Sequence, residues 1–242
     1  MGRANRSHIG AAAIVLTLCA TSANAGTITA FGNVAALTNL NQLGTVIGTA
    51  DFTFPGGAGP VPLDLASGLG MTFHTGPLTA ILPGVTSSGS ASQPQYTDDA
   101  TFTPGLPTWF PSPAGGGVGN FDFQIFGGVV TFSKPVARFG LTFSRNGTQY
   151  ITAWSTTGQM LGEVRWDPNN DSSFVGIDTF EVPIGMLAVG NDDLFHGASY
   201  DIGGATIITD SWQWARPMPE PATMSLLTLG LGAAWIRRRR AR

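Results

Sequence analysis

Between about residue 26 and residue 214, short runs with apolar residues at every second position recur, and no stretch of ten keeps the 3.6-residue spacing of an amphipathic helix. Successive side chains of a strand point to opposite faces, so a period of two can bury one face only if the segment is extended. In FDFQIF (121–126), Phe121, Phe123 and Ile125 alternate with Asp122 and Gln124. In RFGLTFS (138–144), Phe139, Leu141 and Phe143 share one face and Arg138, Gly140 and Thr142 the other. In ATIITDSWQW (205–214), Thr206, Ile208, Asp210, Trp212 and Trp214 fall on one alternation. Further strands are expected at TITAFG (27–32), TADFTF (49–54), GMTFHT (70–75), QYITAW (149–154), GEVRW (162–166) and DTFEVPI (178–184). Turn chemistry separates them at Asn146-Gly147, Thr157-Gly158 and Pro168-Asn169-Asn170. Short strands about ten residues apart point to an all-β fold, an antiparallel β-sandwich.

Composition agrees with an apolar core under a weakly charged surface. Of 242 residues, 43% are hydrophobic and only 11% charged, so Ser, Thr, Asn, Gln and Gly must cover the outside. Fourteen of the fifteen acidic residues lie between Asp51 and Asp210, alongside only Lys134, Arg138, Arg145 and Arg165. A body this acidic offers no footprint for phosphate backbones, which excludes nucleic acid as a partner. The stretch 83–119 holds six prolines and a Ser-rich run at 86–92, and reads as a long irregular connection or rim loop. Two domains divided near residue 118 are one arrangement. A single domain, 26–216, with an ornamented loop is the preferred one, because 26–118 has too few strong strands to close a core of its own.

The two ends differ from the body. The first 25 residues carry Arg3 and Arg6, then a run of about a dozen apolar residues, then Ala23-Asn24-Ala25. That is the layout of a cleavable signal peptide, cut by signal peptidase after Ala25 to leave Gly26 first. The run is too short to span a hydrocarbon core of about 30 Å. Cys19 follows Leu18 where a lipoprotein signal would have a small residue. Because Cys19 is the only cysteine, removing this helix leaves a body without thiol chemistry or disulfides.

At the other end stand Pro219-Glu220-Pro221, an uncharged span at 222–236, and Arg237, Arg238, Arg239 and Arg240. The fifteen-residue span makes about 22 Å of helix, short for a bilayer but workable with snorkelling arginines. Arginine-rich flanks stay cytoplasmic, so the body would lie outside. The two prolines hold Glu220 in extended chain at the outer face.

This tail (217–242) resembles the PEP-CTERM sorting signal of exported bacterial proteins. The resemblance implies recognition of Pro219, Glu220 and Pro221 by an exosortase. It also implies transient anchoring in the cytoplasmic membrane by a C-terminal transmembrane helix at 222–236, and tail removal near the Pro-Glu-Pro. Family members come from Gram-negative bacteria that make exopolysaccharide, and are linked to biofilm or floc matrix. A permanent tail anchor is the plain alternative. The order FSKPVARFGLTFS, YITAWSTTGQMLGEV, SFVGIDT and IITDSWQW looks like the jelly-roll sandwiches of that family, similar in outline to carbohydrate-binding modules. The closing strand departs from the family pattern at Thr209-Asp210-Ser211.

Little in the body announces catalysis. After export only His74 and His196 remain, and no GxSxG elbow occurs. His196 follows Asp192 and Asp193, as a carboxylate-oriented base or metal ligand would, or simply as a polar loop residue. Glu163 and Glu181 are the body's two glutamates, both in expected strands. The expectation is a non-enzymatic surface or matrix protein with no cofactor, and a secreted hydrolase of matrix polysaccharide is the alternative. Asp167 to Asp171 and Asn191 to Asp193 are oxygen-rich loops that could hold a structural calcium, although neither has EF-hand spacing. For exopolysaccharide, the expected stacking surface is Trp109 and Phe110 in the proline-rich loop, with Trp154, Trp166, Trp212 and Trp214 as packing.

Overall fold

A computed structural model describes residues 27–52, 59–87, 89–91, 93–98, 116–120, 125–126, 128–143, 148–167, 174–197 and 207–217. Both terminal helices expected from sequence, at 1–25 and 222–236, lie outside these residues. Among the described residues no helix is long and apolar enough to cross a membrane.

In chain order the first strands are β1 (Ile28–Gly32), β2 (Ala35–Leu37), β3 (Val46–Ala50), β4 (Gly59–Pro60), β5 (Met71–His74) and β6 (Gly76–Pro77). A single helical turn, α1 (Leu78–Ile81), precedes β7 (Ser90–Ala91), β8 (Gln95–Asp98), β9 (Gly116–Asn120) and β10 (Ile125–Phe126). The long strands follow: β11 (Gly128–Val136), β12 (Arg138–Phe143), β13 (Gln149–Ser155) and β14 (Met160–Trp166). The last are β15 (Phe174–Asp178), β16 (Ile184–Gly190) and β17 (Ile207–Ala215).

They form two antiparallel sheets packed face to face. One runs β1-β14-β13-β16-β11-β5, the other β2-β15-β12-β17-β9-β8-β4 with β3 also on β17. A small ribbon, β10-β7-β6, stands beside them. Between the sheets lies one apolar core, with Ile151, Val164, Leu187 and Phe73 from the first facing Phe139, Leu141, Ile177 and Trp212 from the second. Phe139, Leu141 and Phe143 therefore point where their alternation predicts. N-terminal strands close both sheets, since β1 and β5 edge the first while β2, β3, β4 and β8 belong to the second.

The first sheet is covered on its outer side too. Leu78, Leu82, Val85 and Ala91 lie on Trp154, Val129 and Ala188, and the Trp154 indole donates to the Pro83 carbonyl at 3.1 Å. This is why every residue of β13 is buried, the mark of a strand enclosed on both faces.

Three sequence expectations change. The stretch 83–119 is not wholly irregular, because it contains β7 and the antiparallel pair β8–β9. In 178–184 the strand is interrupted, since β15 ends at Asp178 and β16 begins at Ile184. Between them the Val182 amide donates to the Thr179 carbonyl at 3.1 Å, with φ of 47° at Phe180 and 74° at Glu181. Those angles belong to a type I′ turn, which Asn-Gly would enter without strain. Glu181 is thus a turn residue, not a strand residue.

Third, Asp210 and Trp212 do not share one unbroken alternation. Gly140 and Thr142 of β12 oppose Gln213 and Asp210 of β17, so β17 carries an extra residue at Ser211, whose φ is 50°. Asp210 holds this bulge, its Oδ1 accepting from the Ser211 amide at 2.6 Å and the Phe52 amide at 3.3 Å. Burial outweighs those two bonds and pushes its carboxyl up to about 6, with Asp51 adding to the rise. The folded state therefore favours the neutral acid. Its contribution is complete below the unfolded value near 4 and is lost as pH rises through about 6. Asp210→Asn, which keeps the accepting oxygen, is expected to gain about 2 kcal/mol at pH 7.5 and nothing at pH 4. Urea unfolding at the two pH values measures the difference.

Candidate functional site

The chemistry gathers on the outer face of the first sheet, where β14 meets the loop after β16. Pairing of β13 with β14 shifts register between Ala153 and Trp154, leaving Leu161 as an extra residue beside Gly162. Glu163 stays in the regular ladder beyond this bulge, and its side chain alternates with core-facing Val164 onto the outer face. Opposite it on β13 sits Thr152, whose hydroxyl donates to Glu163 Oε2 at 2.7 Å. The loop then folds over the carboxylate, and the Leu194 and Phe195 amides donate to the same oxygen at 3.1 and 3.2 Å. Glu163 is fully buried. Burial, with the Asp193 carboxylate adding to it, pushes its carboxyl up to about 8 against the lowering effect of the Thr152 and Phe195 bonds.

In the same loop Asp193 takes the His196 imidazole. His196 Nδ1 lies 2.7 Å from Asp193 Oδ1 and 2.9 Å from Oδ2, and the His196 amide donates to Oδ1 at 2.9 Å. A carboxylate only accepts, so Nδ1 carries a proton in this contact. Phe31 and Phe195 stand edge-on to the ring, at 4.7 and 5.2 Å between centroids. Asp192 turns the other way and accepts from the Ser87 hydroxyl at 2.6 Å. The two adjacent aspartates thus divide, one tying the 78–91 segment to the loop and one orienting the histidine. His196 also lines an open depression of about 440 Å³ with Pro83, Thr86, Met160 and Phe195. Tyr150 senses this acidic ground; burial first, then Asp193, raises its hydroxyl to about 12.

The arrangement can orient an imidazole and can hold a cation. It does not frame a sugar bond between two carboxylates, because Glu163 has no exposed surface. Among the described residues, His196 bonds Asp193 and no serine hydroxyl. His74 lies elsewhere, with its Nε2 2.8 Å from the Thr131 hydroxyl on β11.

Of the residues expected from sequence, Trp154, Trp166, Trp212 and Trp214 are all core. Trp109 and Phe110 lie outside the described residues, as do Ala23, Ala25 and Gly26 at the cleavage site, Pro219, Glu220 and Pro221, and Arg237 to Arg240. Of the first oxygen-rich loop only Asp167 is described; it accepts from Arg165 at 3.2 Å. The partnership of Glu163 with the 193–196 loop was not readable from spacing, since thirty residues separate them. One sign was available, a lone carboxylate within the otherwise apolar run LGEV.

No protein-family model matches this chain, and neither curated proteins nor solved structures match it.

Proposed function

We propose that this chain is an exported β-sandwich protein, sorted through its Pro-Glu-Pro tail by an exosortase and delivered to the cell surface or extracellular matrix, where it acts by association with polysaccharide. The observation that carries this reading is the tail. Pro219-Glu220-Pro221, the uncharged span and the arginine cluster begin four residues after β17 ends at Ala215. The fold is consistent with such an order of events. β17 is an inner strand, held by β12 on one side and by β9 and β3 on the other. A sandwich whose last strand is central completes its core only once that strand has been released from translocation, and a tail held in the membrane keeps it there while it folds. The jelly-roll likeness, the signal peptide and transient residence in the cytoplasmic membrane belong to the same reading.

Cell fractionation tests it. The wild-type chain is expected outside the cytoplasmic membrane and lacking its tail. With Pro219, Glu220 and Pro221 all replaced by alanine, or with the exosortase deleted, the chain should accumulate at full tail length in that membrane. Identical fractions for all three would remove the sorting reading. The polysaccharide part is tested separately by affinity electrophoresis, where Trp109→Ala is expected to weaken retention on the native exopolysaccharide.

A further inference from the structure

A carboxylate oxygen of Glu163, one of Asp193 and an imidazole nitrogen of His196 all lie within 4.8 Å of one another. Acidic clusters are common, and convergence alone decides nothing. Glu163 decides it. Its Oε2 is saturated by Thr152, Leu194 and Phe195, whereas Oε1 is buried with no hydrogen-bond partner. A buried carboxylate oxygen without a donor is costly, and native folds seldom leave one. The neighbouring Asp193 is another carboxyl and supplies no donor of its own unless it is protonated. A proton shared between the carboxyls relieves it in part, whereas a cation relieves both carboxylates and takes up the imidazole lone pair.

We propose that Glu163, Asp193 and His196 bind one divalent first-row transition cation, Zn2+ foremost, which clamps the loop after β16 onto the outer face of β14. The donor set selects the metal class. Ca2+ prefers six to eight oxygen ligands, whereas an imidazole with two carboxylates suits Zn2+, with donors at about 2.0–2.2 Å. Donors on one zinc stand roughly 3.4 Å apart at those bond lengths. From a spread of at most 4.8 Å the outlying donors therefore draw in, while Asp193 and His196, at 2.7 Å, open slightly. That movement falls to His196, whose side chain is 47% exposed. Binding through Nδ1 exchanges the Asp193–His196 hydrogen bond for bonds to the ion, and the Nδ1 proton passes to Nε2 or to solvent. Phe31 and Phe195, stacked on each other with centroids 6.3 Å apart, both pack against the ring and restrict how it turns. Three protein ligands leave at least one position open beside the depression that His196 lines. The proposal is independent of export, since a chain that stayed in the cytosol would bind the ion equally well.

The test uses the full chain in mild detergent, stripped with chelator and incubated separately with ZnCl2 and CaCl2. After desalting, elemental analysis is expected to find about one zinc per chain, with a raised Tm that EDTA reverses. Calcium should do neither. His196→Ala is the main variant, because an exposed side chain can be removed with the apo Tm preserved. It should weaken zinc binding by about tenfold or more, as should Glu163→Gln, while His74→Ala binds like wild type. Zinc held at well under one equivalent, or held equally by His196→Ala, overturns the proposal.

Discussion

Trp212→Ala is expected to be the most damaging single substitution in the body, lowering stability by about 3–5 kcal/mol. The indole lies at the centre of the core, with the rings of Phe52, Phe73 and Phe139 at 5.7, 5.4 and 5.3 Å. Those rings come from the 50–52 segment, the first sheet and the second sheet, so truncation opens a cavity where all three meet. It also strands the buried Thr209 hydroxyl, which accepts from the indole Nε1 at 2.7 Å. Domains of this kind have roughly 5–15 kcal/mol in total, so the loss is a large fraction of the whole. Without disulfides to limit the unfolded chain, nothing offsets the loss. Urea unfolding followed by circular dichroism measures it, and a loss below about 1 kcal/mol would mean that the ring cluster is not the core's centre.

Asp178→Ala should follow closely, at about 3–5 kcal/mol. Arg138 and Asp178 are cross-strand partners on β12 and β15, joined by an Nε–Oδ2 contact of 2.7 Å. Arg138 is buried beneath Leu43, whose carbonyl accepts from its Nη1 at 3.4 Å. Removing the aspartate leaves an uncompensated guanidinium in the sheet and frees the Phe180 amide, which Asp178 Oδ1 accepts at 2.9 Å. The strained turn at Phe180 and Glu181 then loses the bond that anchors its entry. Arg138→Met removes the charge together with its desolvation cost and should be clearly milder, so the ranking of the two variants in denaturant separates a buried pair from a decorative one. Equal losses would count against that account.

How far the sequence could be read depends on the range of the interaction concerned. Alternation in RFGLTFS placed Phe139, Leu141 and Phe143 in the core, because a strand's two faces are set by its own backbone. It misled at 178–184, where the apolar pattern continues through a turn, and at Ser211, where an extra residue interrupts the alternation. Both exceptions lie at positive φ in residues other than glycine, a choice imposed by neighbouring strands. The Pro-rich stretch hid β8 and β9 for a related reason, since their pairing joins residues as far apart as Gln95 and Gly119.

The candidate site divides in the same way. Asp193 and His196 stand three residues apart, and their partnership was visible in NDDLFH, although only the fold shows that Asp192 turns to Ser87 instead. Glu163 joins them because β14, β13 and β16 lie side by side and the alternation of β14 puts its carboxylate on the outer face. Strand character and the apolar face of a strand such as β12 are local properties, written in consecutive residues and legible there. Which strands become neighbours, and so which buried oxygen is left without a partner, depends on contacts between distant segments, and only the folded chain decides it.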